Sequence, residues 1–130
     1  MPVTKTVLAI EDSYVIQVQL KKLLEHLGGA YTVTVVSAFD GERGIEICKT
    51  QQIDLIILDV AMPKVNGIQF LTNRRESPKL KTIPVIVLSN LKSDEIVNQA
   101  KDLGARSFLS KPIDLAELRL AVVTEFDRAV

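Results

Sequence analysis

Four places in this chain put polar, chemistry-capable residues straight after short apolar runs. Glu11-Asp12 follows Thr6–Ile10, Asp59 follows Ile53–Leu58, Ser89-Asn90 follows Ile83–Leu88, and Lys111-Pro112 follows Ser107–Ser110. If those runs are neighbouring strands, three carboxylates, a hydroxyl and an ammonium share one rim. Like charges about 4 Å apart repel by roughly 4 kcal/mol at an effective dielectric near 20, so such a rim needs compensation. A hard divalent cation with oxygen ligands supplies it. Mg²⁺ is the usual choice where phosphate also binds, and Mn²⁺ is an acceptable substitute. Zinc and copper are disfavoured because no His or Cys belongs to the pattern. The one histidine, His26, falls in a helical stretch away from this rim.

A site of that kind suits phosphoryl transfer, in which catalysis is mainly positioning and electrostatic stabilisation. Asp59 is the candidate nucleophile, giving an acyl phosphate. The metal and Lys111 are each expected to take one phosphoryl oxygen, and the Ser89 hydroxyl to donate to another. Each residue alone has a plainer reading. Asp12 or Ser13 could serve only as a helix N-cap. Asp59 could anchor a loop, Ser89 could be a loop serine, and Lys111 could be a surface lysine. Their coincidence at one rim favours function.

The elements that must position them follow from periodicity. Strands are expected at Thr6–Ile10, Thr32–Val36, Ile53–Leu58, Ile83–Leu88 and Ser107–Ser110. Ile16, Leu20, Leu23, Leu24 and Leu27 recur on one helical face, ended by Gly28-Gly29. An Asp40-Gly41 turn precedes a second helix to about Thr50. A loop punctuated by Pro63 and Gly67 leads to a short helix ending near Arg75. Ser93 to Leu103 reads as helical and stops at Gly104. Asp114 is a plausible N-cap for the last helix, with Glu117 at the capping-box position, and that helix should bury Leu115, Leu118, Val122 and Phe126. The basic stretch Arg74–Lys81 reads as a solvated loop. The pattern is (βα)₅, an α/β fold. Near-continuous apolar strands imply a sheet covered on both faces, and helical crossovers imply parallel strands. Ligands in such sheets bind beyond the carboxyl ends of the strands.

Composition narrows the classes. The 130 residues are 47% apolar and 25% charged, a globular balance, and read as one domain over 1–130. Sixteen basic residues match sixteen acidic ones, so there is no electrostatic footprint for direct nucleic-acid binding. The one cysteine, Cys48, excludes an intramolecular disulfide and reads as a buried apolar side chain. No signal-like start and no apolar run long enough for a membrane span is present, so the cytoplasm is the default compartment.

Four segments together resemble the response-regulator receiver domain along essentially the whole chain. They are Leu8-Ala9-Ile10-Glu11-Asp12-Ser13; Asp54-Leu55-Ile56-Ile57-Leu58-Asp59-Val60-Ala61-Met62-Pro63 with Val65-Asn66-Gly67; Pro84-Val85-Ile86-Val87-Leu88-Ser89; and Gly104-Ala105-Arg106-Ser107-Phe108-Leu109-Ser110-Lys111-Pro112. The resemblance implies a doubly wound, flavodoxin-like sheet of strand order 2-1-3-4-5. It implies Asp59 as phosphoacceptor and Mg²⁺ ligated by Asp12, Asp59 and the Ala61 carbonyl, with Glu11 acting mostly through water. Lys111 would pair with Asp59 and later with the phosphoryl group, and the Lys111-Pro112 bond would be cis. Ser89 and Phe108 would form the switch pair: on phosphorylation the hydroxyl moves toward the phosphate and the ring turns into the vacated space. The readout would be the surface of the fourth helix, fifth strand and fifth helix. The implied partners are a sensor histidine kinase or phosphotransfer protein and a downstream output protein or domain. The chain itself would be a monomer or weak homodimer, a signalling switch rather than a turnover enzyme.

Three positions depart from the family's habit. Asn90 stands where Ala or Gly is usual and should narrow access to the phosphoryl group. Ala61 has no polar side chain to orient an attacking water. Phe108 lacks the hydroxyl of a switch tyrosine. A haloacid-dehalogenase-type enzyme would want a second Asp at position 61 and more chain for a cap. A flavodoxin-like cofactor binder would want a phosphate-cradling loop where Glu11-Asp12 stands. The remaining alternative is a degenerate receiver that binds partners without phosphorylation.

Overall fold

The computed structural model describes residues 2–60, 67–90 and 94–128. Strands and helices alternate: β1 (Val3–Ile10), α1 (Tyr14–Glu25), β2 (Tyr31–Ala38), α2 (Gly41–Thr50), β3 (Leu55–Leu58), α3 (Gly67–Arg75), a 3₁₀ turn (Leu80–Thr82), β4 (Val85–Ser89), α4 (Asp94–Asp102), β5 (Ser107–Ser110) and α5 (Leu115–Arg128). All the strand pairings are parallel, in the order β2-β1-β3-β4-β5. This is the α/β architecture expected from the sequence.

Side chains alternate across each strand, and both faces are covered. Val7, Ala9, Leu55, Ile57, Ile86 and Leu88 pack with Leu20 and Leu24 of α1 and Leu118, Val122 and Phe126 of α5. Leu8, Ile10, Ile56, Leu58, Val85 and Val87 pack on the other side with Ile47 and Cys48 of α2, Phe70 and Leu71 of α3 and Ala100 of α4. Cys48 is buried, as expected.

Several boundaries differ from the sequence reading. β1 begins at Val3 because its exposed first residues pair with Tyr31–Val33, a ladder that apolar pattern does not reveal. Gly41 is the first residue of α2 rather than part of a separate turn. Asp40 is the N-cap, its carboxylate accepting the Arg43 N–H at 2.8 Å. Leu115 is 52% exposed and does not join the core, although Asp114 does accept the Glu117 N–H at 3.0 Å. Pro84 precedes β4, and the expected helix start at Ser93 lies outside the described residues.

The largest correction falls within Arg74–Lys81, where Arg75, Glu76, Pro78, Lys79 and Lys81 are exposed as expected of a solvated loop but Arg74 and Leu80 are not. Arg74 is 6% exposed and Leu80 is buried. The Arg74 guanidinium donates to the carbonyls of Ile83 (2.6 and 3.1 Å), Lys81 (3.1 Å) and Leu103 (3.4 Å). It thereby ties α3 to the entry of β4 and the end of α4. At the start of α3, a Cβ on Gly67 would lie 2.3 Å from the Val60 Cα. Only glycine lets this helix approach the exit of β3 so closely.

Candidate phosphoacceptor and metal site

The carboxyl ends of β1, β3, β4 and β5 deliver the side chains singled out in the sequence. Two backbone bonds fix the acidic pair of strands: Glu11 N–H donates to Ala38 O (3.0 Å) and Asp59 N–H to Ile10 O (3.0 Å). Ser13, not Asp12, is the N-cap of α1, its hydroxyl accepting the Ile16 N–H at 3.3 Å. The Asp12 carboxylate is therefore left to the rim. Glu11, Asp12 and Asp59 each place a carboxylate oxygen within 4.8 Å of the others. Glu11 is 2% and Asp59 4% exposed, while Asp12 faces solvent.

Lys111 leans over this cluster. Its backbone N–H donates to Ser89 O (3.2 Å), holding the end of β5 against β4. Its Nζ lies 3.1 Å from Asp59 Oδ2 and 2.5 Å from Glu11 Oε1. The Lys111-Pro112 peptide is cis. The family resemblance implied the Asp59 contact; the shorter Glu11 contact is a finding of the structure. Burial pulls the ammonium down, but its bonds to Glu11 and Asp59 outweigh this and leave it above its ordinary value. Glu11 is pushed up from 4.5 to about 7, chiefly by burial. Lys111 and the Ser13 N–H (3.0 Å) work against that rise, and Asp12 and Asp59 add to it.

All the donors at the rim are hard oxygens, two of the three carboxylates are buried, and one ammonium faces them. This set fits a divalent-ion site. The Ala61 carbonyl, expected as a further ligand, lies outside the described residues.

Sequence reading missed Gln17. It is buried, and its amide nitrogen lies within hydrogen-bond reach of the carbonyls of Ala9 (2.9 Å), Glu11 (3.0 Å) and Ala38 (2.9 Å). One side chain of α1 thus gathers the ends of β1 and β2 and steadies Glu11. A glutamine next to the apolar positions of an amphipathic helix gives no signal of this role, because the acceptors are main-chain atoms.

Ser89 is buried at the end of β4, and Phe108 is half-buried on β5. Both border a cavity of about 110 Å³ whose other walls include Val60, Val87, Ile96, Val97 and Ala100. Asn90 is exposed next to Ser89.

The sequence matches the family model described as the response regulator receiver domain over residues 7–123. The chain belongs to the response-regulator receiver family. This receiver is 33% identical over 120 residues to the probable chemotaxis protein CheY of Rhizobium etli, covering 92% of this chain and 91% of that one. It is 32% identical over 123 residues to the transcriptional regulatory protein CrdR of Helicobacter pylori, covering 95% of this chain but only 55% of that protein's length. Among solved structures it resembles the receiver domain of the sensor histidine kinase PA1611 of Pseudomonas aeruginosa. The identity is 25%, the TM-score 0.79, and the coverage 94% of this chain and 97% of that one. That structure holds a magnesium ion coordinated in its active-site cleft. The receiver's place in two-component signalling follows from its family. No helix among the described residues is long and apolar enough to cross a membrane.

Proposed function

We propose that this receiver accepts a phosphoryl group on Asp59, in a Mg²⁺-dependent reaction, from a histidine kinase or phosphotransfer protein. The phosphorylated form then alters the surface of α4, β5 and α5 for an output partner. The observation that carries the reading is the convergence of Glu11, Asp12 and Asp59 within 4.8 Å, with the Lys111 ammonium 3.1 Å from Asp59.

An Asp59 carboxylate oxygen attacks phosphorus, the phosphorus–nitrogen bond of the donor phosphohistidine breaks, and its electron pair returns to the imidazole. The product is an acyl phosphate. Lys111 stands where it can exchange its contact with Asp59 for one to a phosphoryl oxygen. The Ser89 hydroxyl, at the end of the neighbouring strand, would donate to another. Asp12 and Asp59, with Glu11 beside them, would hold Mg²⁺, which would supply charge neutralisation for the incoming anion. Charge developing on the transferring group is thereby met by groups already in place.

The cavity supports the second half of the reading. Apolar cavities of roughly 150 Å³ accept a benzene molecule, so the space beside Phe108 is of the order a phenyl ring occupies. Movement of Ser89 toward a phosphoryl group would enlarge it. The outcome is a change of affinity for partners rather than turnover of a small molecule, in the cytoplasmic setting and with the monomer or weak dimer expected from sequence. Incubation with acetyl phosphate and Mg²⁺ should add the mass of one phosphoryl group, and Asp59→Asn should add none. Failure of the unmodified chain to gain that mass would leave the phosphorylation-independent interaction module in its place.

A further inference from the structure

Phe108 stands at a boundary. Its ring borders the cavity shared with Ser89 and also a shallow groove toward α5 lined by Leu120 and Ala121. Turning inward would remove more of its apolar surface from water, which is favourable. A phenylalanine has no hydroxyl to be rewarded for staying at the surface. A contact that favours the ring's half-buried resting position would therefore shift the balance between the two. The Lys101 ammonium lies 5.8 Å from the Phe108 ring centroid, inside the distance of about 6 Å at which a cation is attracted to an aromatic face. Lys101 belongs to the last turn of α4, where the negative end of the helix favours a cation. It makes no ion pair among the described residues. No ion pair among the described residues therefore competes with the ring for this charge.

We infer that Lys101 is a positioning residue of the switch: its ammonium holds the Phe108 ring outward and biases the receiver toward its resting state. This rests on the Ser89–Phe108 reading above and adds the element that sets its resting balance. The restraint depends on charge, so neutralising the amine, by substitution or by acylation of Nζ, releases it. Removing an exposed cation–π contact changes such a balance roughly two- to fivefold. A ligand that selects the inward state then binds more tightly by the same factor while that state remains the minor one.

The test uses the full chain labelled with fluorophenylalanine and the phosphoryl analogue beryllofluoride with Mg²⁺. The chain has four phenylalanines, and Phe108→Leu assigns the Phe108 resonance. In Lys101→Gln, the resonance should move toward its beryllofluoride-saturated position before any analogue is added. Half-saturation should fall about two- to fivefold. Lys101→Arg, which keeps a cation, should match the unmodified chain. Unchanged resonance and half-saturation in Lys101→Gln, or equal shifts in Lys101→Arg, overturn the role of Lys101 alone. A Phe108 resonance that beryllofluoride fails to move in the unmodified chain overturns the switch reading and this inference with it.

Discussion

At the carboxylate cluster a proton and a divalent cation compete for the same oxygens. Burial raises Glu11 from 4.5 to about 7 in the metal-free fold, so the folded chain holds a proton that the unfolded chain has released. The group's contribution to stability therefore falls as pH rises from about 4.5 to 7 and is level above that interval. A cation favours the ionised carboxylate, so Mg²⁺ affinity should rise with pH through the same interval and flatten above it. Calorimetry in buffers of different ionisation enthalpy should detect proton release on binding near pH 6 and almost none near pH 8.5. Affinity that is flat from pH 5.5 to 8 would contradict the raised Glu11. Two departures from the family's habit bear on how long the proposed acyl phosphate would persist. Asn90, next to Ser89, should narrow the approach more than Ala or Gly would, and Ala61 brings no polar side chain to orient water. The phosphoryl group should last minutes or longer, and Asn90→Ala should speed both its gain from acetyl phosphate and its loss. An unmodified half-life of seconds would count against this argument. At this scale the acidic residues, Ser89 and Lys111 were legible because each ends an apolar run. Gln17 was not, because its partners are carbonyls that any residue carries.

Among the elements, strand cores were readable and their ends were not. Ile56–Leu58 and Val85–Leu88 are buried on both faces and announce themselves by continuous apolar sequence. The first residues of β1 are exposed and are held by main-chain pairing, which leaves no imprint on residue type. The stretch after α3 misled for a related reason. Its charged residues suggest solvent, but the Arg74 guanidinium is satisfied by three carbonyl groups inside the fold. Burial, with the Arg106 charge behind it, lowers the guanidinium from its ordinary value. Arg74→Met keeps much of the volume but leaves those carbonyls without their donor. Buried unsatisfied groups cost about 1–3 kcal/mol each, partly regained by rearrangement, so a loss of roughly 2–4 kcal/mol is expected. Urea denaturation should show it as a lower midpoint with an unchanged slope. A midpoint within error of the parent chain would mean that Arg74 is replaceable packing.

For the whole molecule, parallel pairing and the gathering of the site at one end of the sheet followed from the alternation of elements, whereas the strand order came with the family resemblance. What a linear pattern could not show is which helices share a core. The sheet separates α1 and α5 from α2, α3 and α4. The cavity beside Phe108 lies mainly on the second side, against Val60, Val87, Ile96 and Ala100. Beryllofluoride should therefore alter amide exchange in α4 and β5 while the body of α1 and all of β2 keep their protection. Equal changes across α1 and β2 would show that the rearrangement is not confined in this way.

The sheet then acts as a partition wall. Alterations to the apolar core residues of the α1–α5 room, away from Gln17 and the outer face of α5, can be made, by drift or by engineering, without retuning the apparatus housed in the other. A receiver so divided can have its stability adjusted from one side and its responsiveness from the other. Substitutions drawn from opposite rooms should combine additively, and those sharing the chamber around Phe108 should not.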